Sequence, residues 1–85
     1  MFELEFSNKS KNFLKKQEKE ICSRILEKLK ELCENPFPKN CKRVEGRKEK
    51  IFRIRVGEFR ILYLMLNDKN KILISNIDKR SKVYE

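Results

Sequence analysis

The chain of 85 residues contains no histidine and no tryptophan, and it has only two glycines and two prolines. The absence of histidine removes the commonest general base near neutral pH, so any catalysis depends on tyrosine, lysine, arginine or a carboxylate. No stretch is apolar over the length that a membrane helix needs, and the N-terminus lacks the apolar segment of a secretion signal. These absences predict a cytoplasmic protein without a membrane partner.

Cysteine is also scarce, and the three that occur form no C-x-x-C pair and no cluster with zinc-ligand spacing. Cys22 and Cys33 are eleven residues apart on one predicted helix. The helical rise separates them by roughly 16 Å, which excludes a disulfide between them within that helix. We interpret both, together with Cys41, as small buried apolar residues. We expect no metal and no cofactor.

Positive charge is abundant and unevenly distributed. The formal net charge is +9, of which residues 41–85 carry +7 and residues 1–40 carry +2. Such a surplus is typical of a surface that meets an anion such as nucleic acid. A solvated basic surface on a heat-tolerant, Lys/Glu-rich protein would have the same composition. Charge alone therefore leaves both interpretations open.

The N-terminal half is predicted to form one strand followed by a helical hairpin. Alternating apolar residues in "MFELEFS" indicate a short strand with one buried face. Residues 8–17 form a short helix with few apolar side chains, which we expect to be weakly anchored. A longer helix begins around Glu18 and carries its apolar residues on one face. It ends at Asn35, because Pro36 disfavours helical geometry in the residue before it.

The C-terminal half changes to a period of two, which is typical of strands. The segment "CKRVEG" is a weak strand that ends at Gly46, and clearer strands follow at Ile51–Val56, Phe59–Leu66 and Lys71–Asp78. The order strand, helix, helix and then antiparallel strands indicates an α+β domain with its helices on one face of the sheet. We expect a single domain over residues 1–85.

A loop of only two residues, Gly57 and Glu58, joins the first two of these clearer strands. Glycine at the first loop position favours a type II′ hairpin turn, which fixes the pairing of the strands. A slip by one residue would move every side chain to the other face. The predicted register puts six apolar or aromatic residues on one side of the sheet: Phe52, Ile54, Val56, Phe59, Ile61 and Tyr63.

The same register places arginines on the reverse side, where Arg55 lies directly opposite Arg60 and Arg53 lies beside them. Like charges in direct opposition destabilise a sheet. In one explanation, the guanidinium groups extend into water or pair with carboxylates such as Glu58 or Asp78. In the other, the face receives an anion with several oxygens, for which the planar fork of arginine is well suited. Farther from the turn this face becomes apolar.

The C-terminal residues add further basic side chains after the last strand, namely Lys79, Arg80 and Lys82. If that strand pairs with Phe59–Leu66, its end brings Arg80 close to the hairpin arginines. Tyr84 then has two possible roles. It either packs as an ordinary terminal aromatic or stacks on a base and supplies a hydroxyl group.

The helical hairpin, the segment "FRIRVGEFRILY" and the ending "ISNIDKRSKVY" together resemble the RelE/ParE superfamily of type II toxins, and within it the RelE-like mRNA interferase branch. The resemblance spans essentially the whole chain. Its central part has the family's order basic–x–basic–x–glycine–x–aromatic–Arg–aliphatic–x–Tyr. The resemblance implies a small microbial-ribonuclease-like fold.

The resemblance also implies an activity and its residues. RelE-like toxins enter the ribosomal A site and cleave mRNA, with the RNA's own 2′-hydroxyl attacking the adjacent phosphate. Carried onto this sequence, the catalytic residues are Arg55, Arg60, Arg80 and Tyr84. The residues that we expect to bind RNA phosphates are Arg53, Lys79 and Lys82. The implied partners are the ribosome, mRNA and a co-expressed RelB-like antitoxin, which we expect to be acidic and mostly helical.

Some positions depart from the family pattern. Arg53 and Arg55 stand where RelE-like members carry lysines, and Glu45 stands where some relatives have a basic residue. Arginine stays protonated and is a poor general base, so Tyr84 is the candidate for a proton-transferring group. The alternatives are a ParE-like inhibitor of DNA gyrase that cleaves nothing, and a nucleic-acid-binding or antitoxin-binding domain without activity.

Overall fold

The computed structural model describes residues 1–46 and 48–79. The order of elements confirms the predicted α+β fold, with an N-terminal strand, two helices and then a run of strands. In chain order the elements are β1 (Glu3–Phe6), α1 (Asn8–Lys15), α2 (Lys19–Glu34), β2 (Lys42–Arg43), β3 (Ile51–Val56), β4 (Phe59–Leu66), a 3-10 turn (Asn67–Lys69) and β5 (Lys71–Lys79).

In the described residues, the strands form one sheet in the order β1-β5-β4-β3-β2. The pairs β2–β3, β3–β4 and β4–β5 are antiparallel, while β1 runs parallel to β5. The sheet is therefore mixed. Strand β1 lies at its edge beside β5, and the sequence had not predicted which strand β1 pairs with. The weak strand that was expected to reach Gly46 is shorter and comprises only Lys42–Arg43. Its pairing stops where the chain turns, and Gly46 itself has a φ of +80°.

The hairpin of β3 and β4 has the predicted register. Ile54 pairs with Ile61, Phe52 with Tyr63, and Val56 with Phe59. Gly57 has a φ of +59°, whereas Asn70 is the only non-glycine residue with positive φ in the described ranges. Glu58 therefore has a negative φ, as the second position of a type II′ turn requires.

The core lies between the helices and one face of this sheet. Helix α2 carries apolar residues three and four positions apart, and this spacing keeps them on one side of the helix. They pack against the apolar face of the hairpin and against β5. The side chains that are at most 1% exposed in this cluster are Ile25, Leu29, Leu32, Ile54, Ile61, Tyr63, Ile72, Ile74 and Ile77.

Helix α1 is anchored more firmly than its sequence predicted, because serine hydroxyls attach it to β5. Ser7 is the N-cap, and its Oγ accepts a hydrogen bond from the backbone N–H of Ser10 at 3.1 Å. The same Oγ donates to the carbonyl of Ser75 at 2.8 Å. The fully buried Ser10 donates from its Oγ to the carbonyl of Ile74 at 2.9 Å. Polar contacts thus supplement the few apolar side chains of this helix.

The carbonyls that receive these bonds belong to an irregularity in β5. Leu62 pairs with Asn76 but the next residue, Tyr63, pairs with Ile74, so Ser75 is an extra residue in the strand. Such a bulge shifts the alternation of side chains by one position. Ile77 consequently joins the buried side of β5, and its neighbours along the strand turn to the other face.

The cysteines differ in how deeply they are buried. Cys33 is buried, as predicted, while Cys22 and Cys41 are half-buried, and all three are free thiols. Burial raises the pKa of the Cys33 thiol. Within residues 1–46 and 48–79, no helix has both the length and the apolar character needed to cross a membrane.

Candidate nucleic-acid interface

The face of the sheet opposite the helices carries a group of cationic residues, Lys42, Arg53, Arg55 and Arg60, and we call it the arginine face. Arg55 and Arg60 are Cα partners across β3 and β4, which confirms their predicted opposition. Both are half-buried. Two guanidinium groups in direct opposition on a sheet repel each other. They are also placed to bind one anion together.

A shallow pocket of about 230 Å³ lies beside these arginines on the β2 side of the sheet. It is lined by Asn40, Lys42, Arg53 and Arg55. Lys42 is the Cα partner of Arg53, so strand pairing places both side chains on the same face. The pocket brings three cations and one amide to a single concavity. This set can bind the oxygens of a phosphate and donate to neighbouring polar groups.

Arg60 is balanced by one carboxylate of the neighbouring strand. Asp78 is its Cα partner on β5, and the Arg60 Nε lies 3.4 Å from the Asp78 Oδ1. The Arg60 side chain is 23% exposed and that of Asp78 is 40% exposed. A pair this accessible to water stabilises the fold by no more than about 1 kcal/mol. The pairing that was one of the two explanations for the arginine opposition is thus present for Arg60.

Asn76 lies next to Asp78 on the same face. Its Nδ2 donates to the Asp78 Oδ2 at 3.3 Å. Its Oδ1 is buried and has no hydrogen-bond partner among the residues that the structure describes. Burying such an acceptor without a partner destabilises a fold by about 1–3 kcal/mol. The side chain of Asn76 is therefore oriented so that its amide nitrogen donates to Asp78, while its amide oxygen has no donor in the described part of the chain.

The arginine face changes character with distance from the β3–β4 turn. Leu62 and Leu64 follow Arg60 on the same side of β4, so this face becomes apolar, as the sequence predicted; both side chains are half-buried. At the far edge Lys71 pairs with Glu5 of β1, with the Lys71 Nζ 3.5 Å from a carboxylate oxygen. The surplus of positive charge is therefore concentrated at the turn end of the face.

Lys79, which was expected to bind RNA, lies on the other side of the sheet from the arginine face. It is the Cα partner of Phe59, whose ring belongs to the core. It lines a pocket of about 360 Å³ between the helices and the turn, together with Phe13, Arg24 and Glu58. The structure does not bring Lys79 together with Arg55 and Arg60.

The three remaining residues of the expected site are Arg80, Lys82 and Tyr84, and they lie outside the described residues. The last described residue, Lys79, stands across from the first residue of β4. The chain therefore leaves β5 at the turn end of the hairpin, as the sequence predicted. The roles of Arg80, Lys82 and Tyr84 stay predictions.

Tyr63, the tyrosine of the central family-like segment, has a structural position. Its side chain is 0% exposed, and its hydroxyl donates to the carbonyl of Pro36 at 2.6 Å. Burial is the main cause that raises the pKa of Tyr63 above its usual value. The residue fastens the connector after α2 to the centre of the sheet. In the described ranges, no group of three or more His, Cys, Asp or Glu side chains is placed to hold a metal ion.

Two residues of the arginine face were not among the candidates from sequence. Lys42 had a detectable signal, because it lies in the period-two segment "CKRVEG" that precedes the hairpin. The signal for Asn76 in the sequence was weaker. The isoleucines of β5 occur at 72, 74 and then 77, and this break in the alternation indicates a bulge before Asn76.

Comparison with known families agrees with this fold. The model of the family described as ParE toxin of type II toxin-antitoxin system, parDE, matches residues 4–84. A protein of Methanocaldococcus jannaschii that is provisionally named toxin RelE1 is 40% identical over 67 residues. That alignment covers 71% of this chain and 73% of the relative. The chain belongs to the RelE/ParE superfamily of type II toxins.

Solved structures of RelE toxins and of a YoeB protein have the same fold at lower sequence identity. RelE in the archaeal RelE–RelB complex from Pyrococcus horikoshii has a TM-score of 0.80 at 21% identity, covering 95% of this chain and 97% of that one. The isolated Escherichia coli RelE toxin has a TM-score of 0.80 at 20% identity, covering 99% of this chain and 92% of that one. Staphylococcus aureus YoeB, solved as a dimer, has a TM-score of 0.76 at 20% identity, with 94% and 98% covered.

Proposed function

We propose that this toxin is a ribosome-dependent endoribonuclease that cleaves mRNA in the ribosomal A site. The observation that carries the proposal is the direct opposition of Arg55 and Arg60 on a sheet face that also presents Arg53 and Lys42. The fold does not need four cations at one end of a sheet. An RNA phosphate explains why they are clustered, since its several oxygens can be bound by more than one of these cations at once.

The arginine face supplies electrostatic stabilisation rather than a base. When the 2′-hydroxyl of the RNA attacks the adjacent phosphate, a P–O bond forms to the 2′-oxygen and the bond to the 5′-oxygen breaks. The products are a 2′,3′-cyclic phosphate and a 5′-hydroxyl. Negative charge gathers on the phosphate oxygens in the transition state, and cations fixed beforehand stabilise it. Arg55 and Arg60 are the residues to which we assign this role, with Arg80 as a third.

Proton transfer needs a different group, because arginine does not release its proton at neutral pH. The 2′-hydroxyl loses one proton, which passes to solvent water, and the leaving 5′-oxygen gains one. We assign the donation to the 5′-oxygen to the hydroxyl of Tyr84, because a tyrosine is protonated at neutral pH. Tyr84→Phe should then reduce cleavage more than it reduces binding to ribosomes, because only the chemical step loses a partner. Equal losses in cleavage and binding would remove Tyr84 from the chemistry.

We further propose that a cognate RelB-like antitoxin neutralises this toxin. Relatives of the same fold have been solved as RelE–RelB complexes, from Pyrococcus horikoshii and Mycobacterium tuberculosis. With a net charge of +9, this chain would attract an acidic partner electrostatically. Co-expression with a short acidic reading frame from the neighbouring gene, followed by co-purification, tests this part.

The decisive experiment is primer extension on mRNA from translating ribosomes. Breaks within codons should occur only when ribosomes are present, and Arg60→Ala should reduce them by about a hundredfold or more. Lys30→Ala is the matched control, since it removes one positive charge from an exposed position on α2. Equal cleavage by the two variants would contradict the assignment of Arg60.

Inhibition of DNA gyrase is the second candidate, because the matching family model is described as a ParE toxin and ParE-like toxins are expected to act on gyrase. A DNA supercoiling assay on the purified toxin distinguishes the two. Inhibition of supercoiling without ribosome-dependent mRNA breaks would replace the ribonuclease proposal with the gyrase one.

A further inference from the structure

Asp78 is the carboxylate that pairs with Arg60 at the turn end of the arginine face, and its place there depends on the bulge in β5. Without the extra residue Ser75, regular alternation from Ile72 and Ile74 would place Asp78 on the buried side. With the bulge, Asp78 stands across from Arg60, and Asn76 stands across from Leu62. An acidic residue is thereby placed beside Arg60, at the β5 border of the cationic surface.

The contact between Asp78 and Arg60 uses a particular nitrogen of the guanidinium group. The Arg60 Nε donates to the Asp78 Oδ1 at 3.4 Å. The guanidinium group is planar, so a bond at Nε limits rotation of the whole plane. The two terminal nitrogens, which form the fork that suits a phosphate, take no part in this bond.

Asn76 fixes the carboxylate in turn. A carboxylate only accepts hydrogen bonds, so the amide nitrogen of Asn76 must be the atom that faces the Asp78 Oδ2. The amide oxygen is then directed to a buried position without a partner in the described residues. Buried acceptors without partners are rare in folded proteins. The hydrogen bonds from Asn76 to Asp78 and from Arg60 to Asp78 are thus present although they leave the amide oxygen of Asn76 without a partner in the part of the chain that the structure describes.

We propose that Asp78, held by Asn76, is a positioning residue that sets the plane of the Arg60 guanidinium group so that its terminal fork meets the phosphate oxygens in the transition state. This inference rests on the proposed ribonuclease function. The competing account is that Asp78 only reduces the repulsion between Arg55 and Arg60. The two accounts differ in whether the acceptor atom or the negative charge of Asp78 matters.

Two substitutions at Asp78 separate the acceptor from the charge. Asp78→Ala removes both, and it should slow single-turnover cleavage on programmed ribosomes by about tenfold or more, because a misplaced catalytic group loses rate steeply. Binding to ribosomes should stay equal or become tighter, since a negative charge is lost. Asp78→Asn keeps an oxygen for the Arg60 Nε. Its amide can donate to the Oδ1 of Asn76 after that side chain flips. This variant should recover most of the rate.

A double-mutant cycle tests whether the effect passes through Arg60. In an Arg60→Ala background, Asp78→Ala should cause no further loss of cleavage. Asn76→Ala is a second, independent variant, and it should cause a smaller loss that also vanishes in that background. Urea unfolding of each variant provides the control for folding, so that rates are compared between folded proteins.

NMR of the Arg60 Nε–H signal tests the positioning without any cleavage assay. The signal should exchange slowly with water in the parent protein and in Asp78→Asn, and rapidly in Asp78→Ala. If the parent protein does not cleave mRNA on ribosomes, the proposed function fails. The NMR measurement still shows in that case whether Asp78 holds the guanidinium group of Arg60. Three results would overturn the proposal. They are equal slowing of cleavage by Asp78→Ala and Asp78→Asn, a further loss from Asp78→Ala in the Arg60→Ala background, and an Arg60 Nε–H signal that exchanges as slowly in Asp78→Ala as in the parent protein.

Discussion

The two faces of the β3–β4 hairpin share one backbone but are held by different forces. On the helix side, Ile54 and Ile61 are 0% exposed and pack under α2. On the arginine face, Arg55 and Arg60 stand opposite each other, and the carboxylate of Asp78 lies 3.4 Å from Arg60. The first face is stabilised by removal of apolar surface from water. The second combines like charges that contribute little to folding.

The difference agrees with the proposed function, in which one face serves stability and the other binds RNA. A fold that needed only stability would place uncharged, β-branched or aromatic residues at positions 55 and 60. Under the proposed function the two arginines bind an RNA phosphate, and this role accounts for keeping like charges in opposition. Substitutions on the helix side should therefore change the free energy of unfolding, while those on the arginine face should change affinity and rate.

The largest effect on stability is expected from Ile61→Ala. It leaves a cavity in a fully buried position and should lower the free energy of unfolding by about 2–5 kcal/mol. Urea denaturation measures this loss. The matched control is Leu62→Ala, because Leu62 is the next residue on β4, lies on the arginine face and is half-buried. Equal losses would show that the two faces are packed alike.

A smaller loss is expected from Tyr63→Phe, which leaves the carbonyl of Pro36 without its donor. The free energy of unfolding should fall by about 1–3 kcal/mol at neutral pH. Unchanged stability would mean that water replaces the hydroxyl.

The same tyrosine should make stability depend on alkaline pH. Burial raises the pKa of Tyr63 above the ordinary value of 10.0, so the unfolded chain loses this proton first. The contribution is fully present below about pH 10 and falls as the pH rises further. Tyr63→Phe should therefore show a shallower alkaline decline than the parent protein. Identical declines would contradict the role of Tyr63.

Gly57→Ala tests the turn that joins the two faces. The φ of +59° disfavours any side chain, and an added Cβ would lie 2.8 Å from the Arg24 Nη2. The free energy of unfolding should fall by about 1–2 kcal/mol. Repeating the substitution in an Arg24→Ala background separates backbone strain from this contact. The loss should persist there, because the end of a long arginine side chain can move aside. Its disappearance would instead identify Arg24 as the cause.

The smallest change in stability is expected from Arg53→Ala, within about 0.5 kcal/mol. Its affinity for programmed ribosomes should fall, and the slope of log affinity against log salt should decrease by about 0.7 for one lost phosphate contact. Arg43→Ala is the matched control. Arg43 is on the adjacent strand but pairs with Phe52, which puts it on the other side of the sheet. An equal change of slope would remove Arg53 from a specific role.

Much of this arrangement was predictable, because the hairpin is local. The two-residue loop and the alternation of apolar and charged residues were sufficient to predict the register of the hairpin and the residues on each of its two faces. The reach of β2 and the anchoring of α1 were not predicted well. The first depends on where the chain turns near Gly46, and the second depends on hydroxyl contacts of Ser7 and Ser10 with a strand more than sixty residues away.

The sequence by itself determined the opposition of Arg55 and Arg60, because only adjacent strands and the conformational freedom of Gly57 at positive φ are involved. Only the tertiary structure decided which residues join them. The bulge at Ser75 turns Asp78 toward Arg60 and leaves Lys79 beside Phe59 on the other side. One extra residue in a strand reverses the face of every residue after it, and its position is set by long-range pairing with β4.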